Sequence, residues 1–243
     1  MCYAVFNHME RNVHDMKDSA QNFDVSEIKK LDIYPYIAPF YAQGRIHLRH
    51  AQAGDCVADA GGDDYHIVYI LQGRMKVFSF AYNGRRLLLD EVESGSFSGH
   101  ISKLRGYNFE STIVARTPCV YLEFPDQVFT QLMEHGDFAL RFYQGTSQRT
   151  YHMYRKILSL NLFSLEENTA FYAVTHQNHM EGMTLDDISE EIGISRRTLC
   201  YIIRRWKEAG ILEKAPRGYH IRDLATLEDM AHNIRQFYQS VGP

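Results

Sequence analysis

The sequence predicts an α+β chain in three parts: a double-sheet β-roll, one long helix, and a small domain built on a helix-turn-helix and a hairpin. Three observations predict it. From Ile46 to Phe124 short β-rich runs are separated by Ala-Gly-Asp, Gly-Gly-Asp-Asp, Gln-Gly and Asn-Gly. From Asp137 to Phe163 apolar and aromatic residues recur at intervals of three and four. Finally, "TLDDISEEIGISRRTLCYIIRRWKEAG" joins two amphipathic segments through a glycine. The expected divisions are residues 1–136, 137–163 and 164–243.

The roll comes first. Residues 1–22 show no clean period, and "DVSEIKKLDIYPYIAPF" reads as a short helix with Asp24 as N-cap and Pro35 ending it. Tyr82-Asn83-Gly84-Arg85, between "MKVFSF" and "RRLLLDEV", is a strong hairpin signal because Asn-Gly readily takes the positive φ angles of a tight turn. A further strand, "STIVARTPCVYLEF", stops at Pro125. Many short strands with Gly-rich turns favour a roll over alternating βα units.

The period turns helical after Pro125. "PDQVFTQLMEHG" begins with proline in the first-turn role and ends at Gly136. In the long segment that follows, the stripe includes Leu140, Tyr143, Ser147, Tyr151, Tyr154, Ile157 and Leu158. Such a stripe must be buried, either against its own chain or as a seam with a second copy. Its place between two domains makes the homodimer seam attractive.

Three capped helices and a hairpin complete the chain. Ser164 with Glu167, and Thr184 with Asp187, have capping-box spacing, and Ser195 caps the segment closing at Gly210. "ILEKAPRGYHIR" gives two short strands around Ala215–Gly218, and "ATLEDMAHNIRQFYQ" a last helix.

Charge then separates two functions for this domain. The whole chain carries 26 Lys and Arg against 30 Asp and Glu, a net charge of −4. Yet five Lys/Arg fall between Arg196 and Lys207, within a segment, Ser164 to Pro243, that holds nine basic and twelve acidic residues. Positive charge is therefore concentrated on one helix and on Arg217 at the hairpin tip. With Ile188, Ile192, Leu199, Ile202, Ile203 and Trp206 packed together, Arg196, Arg197, Cys200, Tyr201 and Arg204 stand on or near the outward side. A major groove admits such a helix, and arginine donates two hydrogen bonds to a guanine edge. Ser195 and Thr198 at the helix N-terminus suit backbone phosphates, as does Thr184, the cap of the preceding helix; Arg204 and Arg205 serve as backbone or domain contacts. A protein-docking module is the competing reading, since the same shape and a solvated basic face also occur there.

Other classes fit poorly. Four dispersed cysteines, Cys2, Cys56, Cys119 and Cys200, lack the spacing of a zinc or iron–sulfur site and read as reduced thiols of a cytoplasmic protein. No segment approaches a membrane span, and "MCYAVFNHMERNVHD" lacks a signal peptide's apolar region. His47 and His50 are three apart and point to opposite faces of a strand, His66 has no close histidine partner, and His176 and His179 read as surface polars. No nucleophile motif, P-loop or dinucleotide fingerprint occurs, so no enzyme, cofactor or metal is expected.

Over about residues 24–223 the chain resembles the cyclic-AMP-receptor and FNR superfamily of bacterial transcription regulators, with a likeness to its YeiL-like branch. The resemblance rests on "YILQGRMKVFSF", "NGRRLLLDEVESGSFSG", "TPCVYLEF" and "MTLDDISEEIGISRRTLCYIIRRWKEAGILEKAPRGYHI". It implies a cupin-like, cyclic-nucleotide-binding-domain-like double-stranded β-roll, a long dimerisation helix and a C-terminal winged helix-turn-helix. The implied partners are double-stranded DNA, a second copy, RNA polymerase and a small-molecule effector. Departures qualify it. Cyclic-nucleotide binders of the family carry Glu where this chain has His100, and Arg-Ser where it has Phe109-Glu110. Glu110 would repel a phosphate, so a cyclic nucleotide is not expected. Arg197 and Tyr201 replace the Glu and Arg common in the family's recognition helix, which points to an operator other than the common palindrome. The effector surface implied by the family's geometry is His100, Tyr107, Phe109 and Glu110 with Tyr151 and Tyr154. Those residues either form a pocket or pack together and leave a constitutively competent dimer.

Overall fold

The computed structural model describes residues 23–59, 66–80, 86–99 and 111–239, with the side chains of 178 and 179 set aside. Contacts divide the chain into two compact units, residues 1–151 and 152–243, with the boundary inside the long helix.

The first unit opens with a 3-10 turn, Val25–Lys30, whose Asp24 cap accepts from the Ser26 amide, followed by helix α1, Tyr34–Ala42. Pro35 therefore starts a helix instead of ending one. In the first turn its missing N–H costs nothing, because amides there have no intrahelical acceptor.

The roll comprises β1 (His47–Ala51), β2 (Cys56–Ala58), β3 (Ile67–Gln72), β4 (Arg74–Phe80), β5 (Arg86–Glu93), β6 (Phe97–Ser98), β7 (Ser111–Ala115) and β8 (Cys119–Phe124). They form two antiparallel four-stranded sheets in the orders β1-β8-β3-β6 and β2-β7-β4-β5. Strand alternation sorts the side chains into two cores. Val68 and Ile70 pack with Met75, Val92, Ile113 and Cys119 in the roll interior. Ile67 and Tyr69, on the other face of the same strand, pack with Phe97 and the helices. Gly73, at φ +91°, joins β3 to β4 where a Cβ would lie 2.4 Å from the Pro118 carbonyl oxygen, so this turn excludes any side chain. The Asn-Gly hairpin predicted at 82–85 lies outside the described residues.

Helix α2, Asp126–Met133, and the first turns of the long α3, Gly136–Leu162, cover the β3 face. Phe129, Phe138 and Phe142 cluster around Phe97 at ring separations of 5.3–6.3 Å. Arg149 of α3 reaches the Asp90 carboxylate on β5 from Nη2 at 2.6 Å and from Nε at 2.9 Å, and also donates to the Phe97 carbonyl.

The second unit contains α4 (Leu165–Thr175), α5 (Gln177–Met180), α6 (Leu185–Ile192), α7 (Arg196–Glu208), β9 (Leu212–Lys214), β10 (Tyr219–Ile221), α8 (Leu224–Met230) and α9 (His232–Gln239). Both capping boxes form as expected, and Ser195 accepts from the Thr198 amide. Two expected helices are each broken in two. The segment from Ser164 stops at His176, whose ring bonds back to the Tyr172 carbonyl and stacks on the Tyr172 ring at 4.4 Å. The last helix divides at Ala231 into α8 and α9. Arg155, buried on α3, donates from Nη1 to the Tyr238 carbonyl at 3.2 Å and from Nη2 to the Phe237 carbonyl at 2.5 Å. It thereby caps two of the orphan carbonyls at the end of α9. No described helix is long and apolar enough to cross a membrane.

Candidate nucleic-acid interface

Helices α6 and α7 build the site. Gly193 ends α6 in the left-handed region at φ 90°, and two residues later Ser195 caps α7. The turn is short because glycine takes this conformation without a Cβ clash. Ile188 and Ile192 of α6 and Leu199, Ile202, Ile203 and Trp206 of α7 are all buried in one cluster. These are the six residues the sequence pattern assigns to that core. Burying this face fixes which residues of α7 meet solvent.

The exposed face carries Arg196, Arg197, Tyr201, Arg204, Arg205 and Lys207, with Tyr201 64% exposed, while Cys200 and Thr198 are half-buried. These cations differ in what they already hold. Among the described residues neither Arg197 nor Lys207 pairs with an acid. Arg196 reaches Asp186 at 3.0 Å and Arg204 reaches Glu208 at 2.8 Å, both pairs with more than half of each side chain exposed. Exposed pairs are worth ~0–1 kcal/mol, so a phosphate or base edge competes with them cheaply. Arg205 is committed more firmly: Glu166 of α4 accepts from its Nη1 and from Trp206 Nε1, each at 3.0 Å. One carboxylate thus pins α7 to α4. Glu166 gave no signal in the sequence, because its partners lie 39 and 40 residues away.

The hydroxyl groups are also placed. Ser195 and Thr198 bond to each other at 2.7 Å while Ser195 caps the helix. Thr184 donates to Asp187 at 2.7 Å within its capping box. At the hairpin, Arg217 is exposed at the tip. Gly218, at φ +76°, closes the turn against the end of α5, where a Cβ would sit 2.0 Å from the Met180 carbonyl oxygen. The tip is therefore fixed against the domain by a contact that only glycine permits.

The remaining candidate residues fall into two groups. On α3, Leu140, Tyr143, Tyr151, Tyr154 and Ile157 are 36–58% exposed, Ser147 is exposed and Leu158 half-buried. The helix buries Phe138, Phe142 and Thr146 instead. Tyr151 and Tyr154 therefore lie on the exposed stripe of α3, not on the face its buried residues define. His100, Tyr107, Phe109 and Glu110 lie outside the described residues. Among the described residues no group of three or more His, Cys, Asp or Glu could hold a metal ion.

Comparison with known proteins agrees with this architecture. Residues 48–135 match the model of the cyclic nucleotide-binding domain, and residues 162–230 match that of the Crp-like helix-turn-helix domain. The regulatory protein YeiL of Escherichia coli O157:H7 is 25% identical over 188 residues, which is 76% of this chain and 85% of that protein. A Crp/Fnr-family protein from Eubacterium rectale superposes with a TM-score of 0.68 at 16% identity, covering 87% of this chain and 96% of that one. The c-di-GMP-responsive global regulator CLP of Xanthomonas campestris superposes with a TM-score of 0.64 at 19% identity, covering 78% and 99%. The two matched models together span more than half of the sequence, in the order roll then reader, and the relatives are regulators, not enzymes. The chain belongs to the CRP/FNR superfamily of DNA-binding transcription regulators.

Proposed function

We propose that the protein is a homodimer that reads a pseudo-palindromic operator, placing α7 of each copy in successive major grooves about one helical turn apart. The observation that carries this is α7 itself, whose apolar face is buried while Arg196, Arg197 and Tyr201 remain exposed beside its capped N-terminus. Arg197 and Arg196 favour guanines in each half-site, Tyr201 meets a thymine methyl or a sugar, and Arg217 takes a phosphate or the minor groove. Arg205 and Thr184 orient the domain, and Ser195, Thr198 and Arg204 lie along the phosphate path.

The dimer follows from α3. Leu140, Tyr143, Tyr154 and Ile157 recur at helical spacing and stay exposed, as does Leu162. A stripe of large apolar side chains at that spacing gains most by meeting its own copy. The roll is proposed not to take a cyclic nucleotide, on the ground of His100 and Phe109-Glu110 in its sequence. An input to the roll would act by shifting a pre-existing balance between poor and good DNA-binding geometries.

A salt titration on duplex DNA tests the reading. Affinity should fall steeply as salt rises, because displaced counterions drive the binding. Absence of binding to any duplex at low salt would instead make the helix-turn-helix a protein-docking unit.

A further inference from the structure

A cavity of about 90 Å³ lies on the helix-facing side of β3, lined by Tyr69 and Phe97 from the roll, Phe138 and Phe142 from α3, and Asp32 with Arg141. It does not belong to the roll interior. Tyr69 packs with the helices while its neighbours Val68 and Ile70 face inward, so the cavity is on the opposite side of the sheet.

Two features point to an occupant. Tyr69 is only 4% exposed overall, but its hydroxyl keeps a solvent-accessible edge and makes no hydrogen bond to a described residue. Burial, helped by the nearby charge of Asp32, pushes its phenol up to about 12, and like an ordinary phenol it is a neutral donor at physiological pH. A hydroxyl with solvent access and no protein partner can donate to an acceptor placed in the cavity at little cost. The second feature is the pair Arg141–Asp32, 3.5 Å apart and more than half exposed, a contact too weak to resist exchange.

We propose that this cavity binds a small aliphatic α-amino acid. Its carboxylate would accept from Arg141 and from the Tyr69 hydroxyl, its ammonium would donate to Asp32, and its side chain would lie against the three phenylalanines. The charge pair selects this class. A simple carboxylate would bring a like charge beside Asp32, and a simple amine would do the same to Arg141, whereas a zwitterion satisfies both. Size sets a limit: a 150 Å³ apolar cavity takes benzene, so this one suits a side chain of roughly three or four carbons. Arg149 lines the same cavity and bonds to the Phe97 carbonyl and to Asp90, so occupancy bears directly on how α3 is held to the roll. This inference deepens the regulator reading by naming an input class, but its binding step is independent of DNA.

The test is titration calorimetry on the full chain without DNA, using L-alanine, L-valine and L-leucine, with isovalerate and isobutylamine as valine analogues lacking the amine or the carboxylate. L-valine should bind saturably, and each analogue at least roughly ten-fold more weakly, as expected when one charged contact is lost. Asp32→Asn and Arg141→Gln should each lose a comparable factor. Tyr69→Phe, which keeps the ring, should weaken binding about five-fold with an unchanged melting temperature. The proposal is overturned if none of the three amino acids binds, if isovalerate binds as tightly as L-valine, or if both charge variants bind like the parent. Duplex binding measured separately keeps the two readings apart, since either can fail while the other stands.

Discussion

Helices α3 and α7 are both amphipathic and each buries one face, but they expose opposite chemistry. On α7 the solvent side is arginine and tyrosine, while on α3 it includes Leu140, Tyr143, Tyr154 and Ile157. A helix with its core requirement already met tells its partner class by what remains outside. Exposed apolar side chains at helical spacing call for a second apolar surface, and exposed guanidinium groups at a capped N-terminus call for an anion. The family match supports DNA as that anion and leaves the copy–copy seam to be measured.

The comparison breaks most visibly if the buried face of α7 is not what sets its exposed one. Trp206→Ala should cost the second unit about 3–5 kcal/mol, since it leaves a cavity and strips a partner from Glu166. A thermal melt should then show the reader unfolding at lower temperature and duplex binding lost with it; an unchanged melt would mean Trp206 anchors nothing. Next comes α3. Tyr154→Glu together with Ile157→Glu should weaken self-association by roughly a hundred-fold or more, because each dimer would bury four unpaired carboxylates. Light scattering would read this, and a variant that stays dimeric at low micromolar concentration would remove the stripe from the interface.

Smaller effects sharpen the arginine assignments. Arg197→Ala should cost about 1–3 kcal/mol on the preferred duplex and relax sequence preference at one position in each half-site. Arg217→Ala should weaken all duplexes nearly alike and lower the salt slope by about one per protomer. Parallel titrations on preferred and scrambled duplexes separate the two. Identical behaviour would show that the two arginines do the same job.

Much of this was legible because it is local. The caps at Ser164, Thr184 and Ser195 need partners three residues away, and the six buried residues of α6 and α7 follow from helical spacing alone. The roll was legible from its turn residues. Pro35 misled because proline both ends helices and begins them, and only the chain on either side decides. The break at His176 depends on a ring stacked on Tyr172, which spacing does not reveal. Glu166, Arg149 and Arg155 were illegible for another reason. Each joins residues 39 to 83 positions apart, so the pairing exists only once the chain has folded. The Tyr69 hydroxyl belongs with them, since a tyrosine in a strand looks the same whether its oxygen meets the protein or opens to a cavity.

The grip of Arg155 on α9 has a genetic consequence. Its two hydrogen bonds end on the backbone carbonyls of Phe237 and Tyr238, so no side-chain replacement at 237 or 238 removes the acceptors. Missense changes there would disturb the ring packing against Phe163 and Phe171 and the stacking of Arg155 on the two rings, but leave those acceptors in place. A premature stop after Met230 would spare the matched helix-turn-helix segment, residues 162–230, yet remove both acceptors of Arg155 and uncover Phe163 and Phe171. In a mutational screen this tail should therefore tolerate substitution far better than truncation.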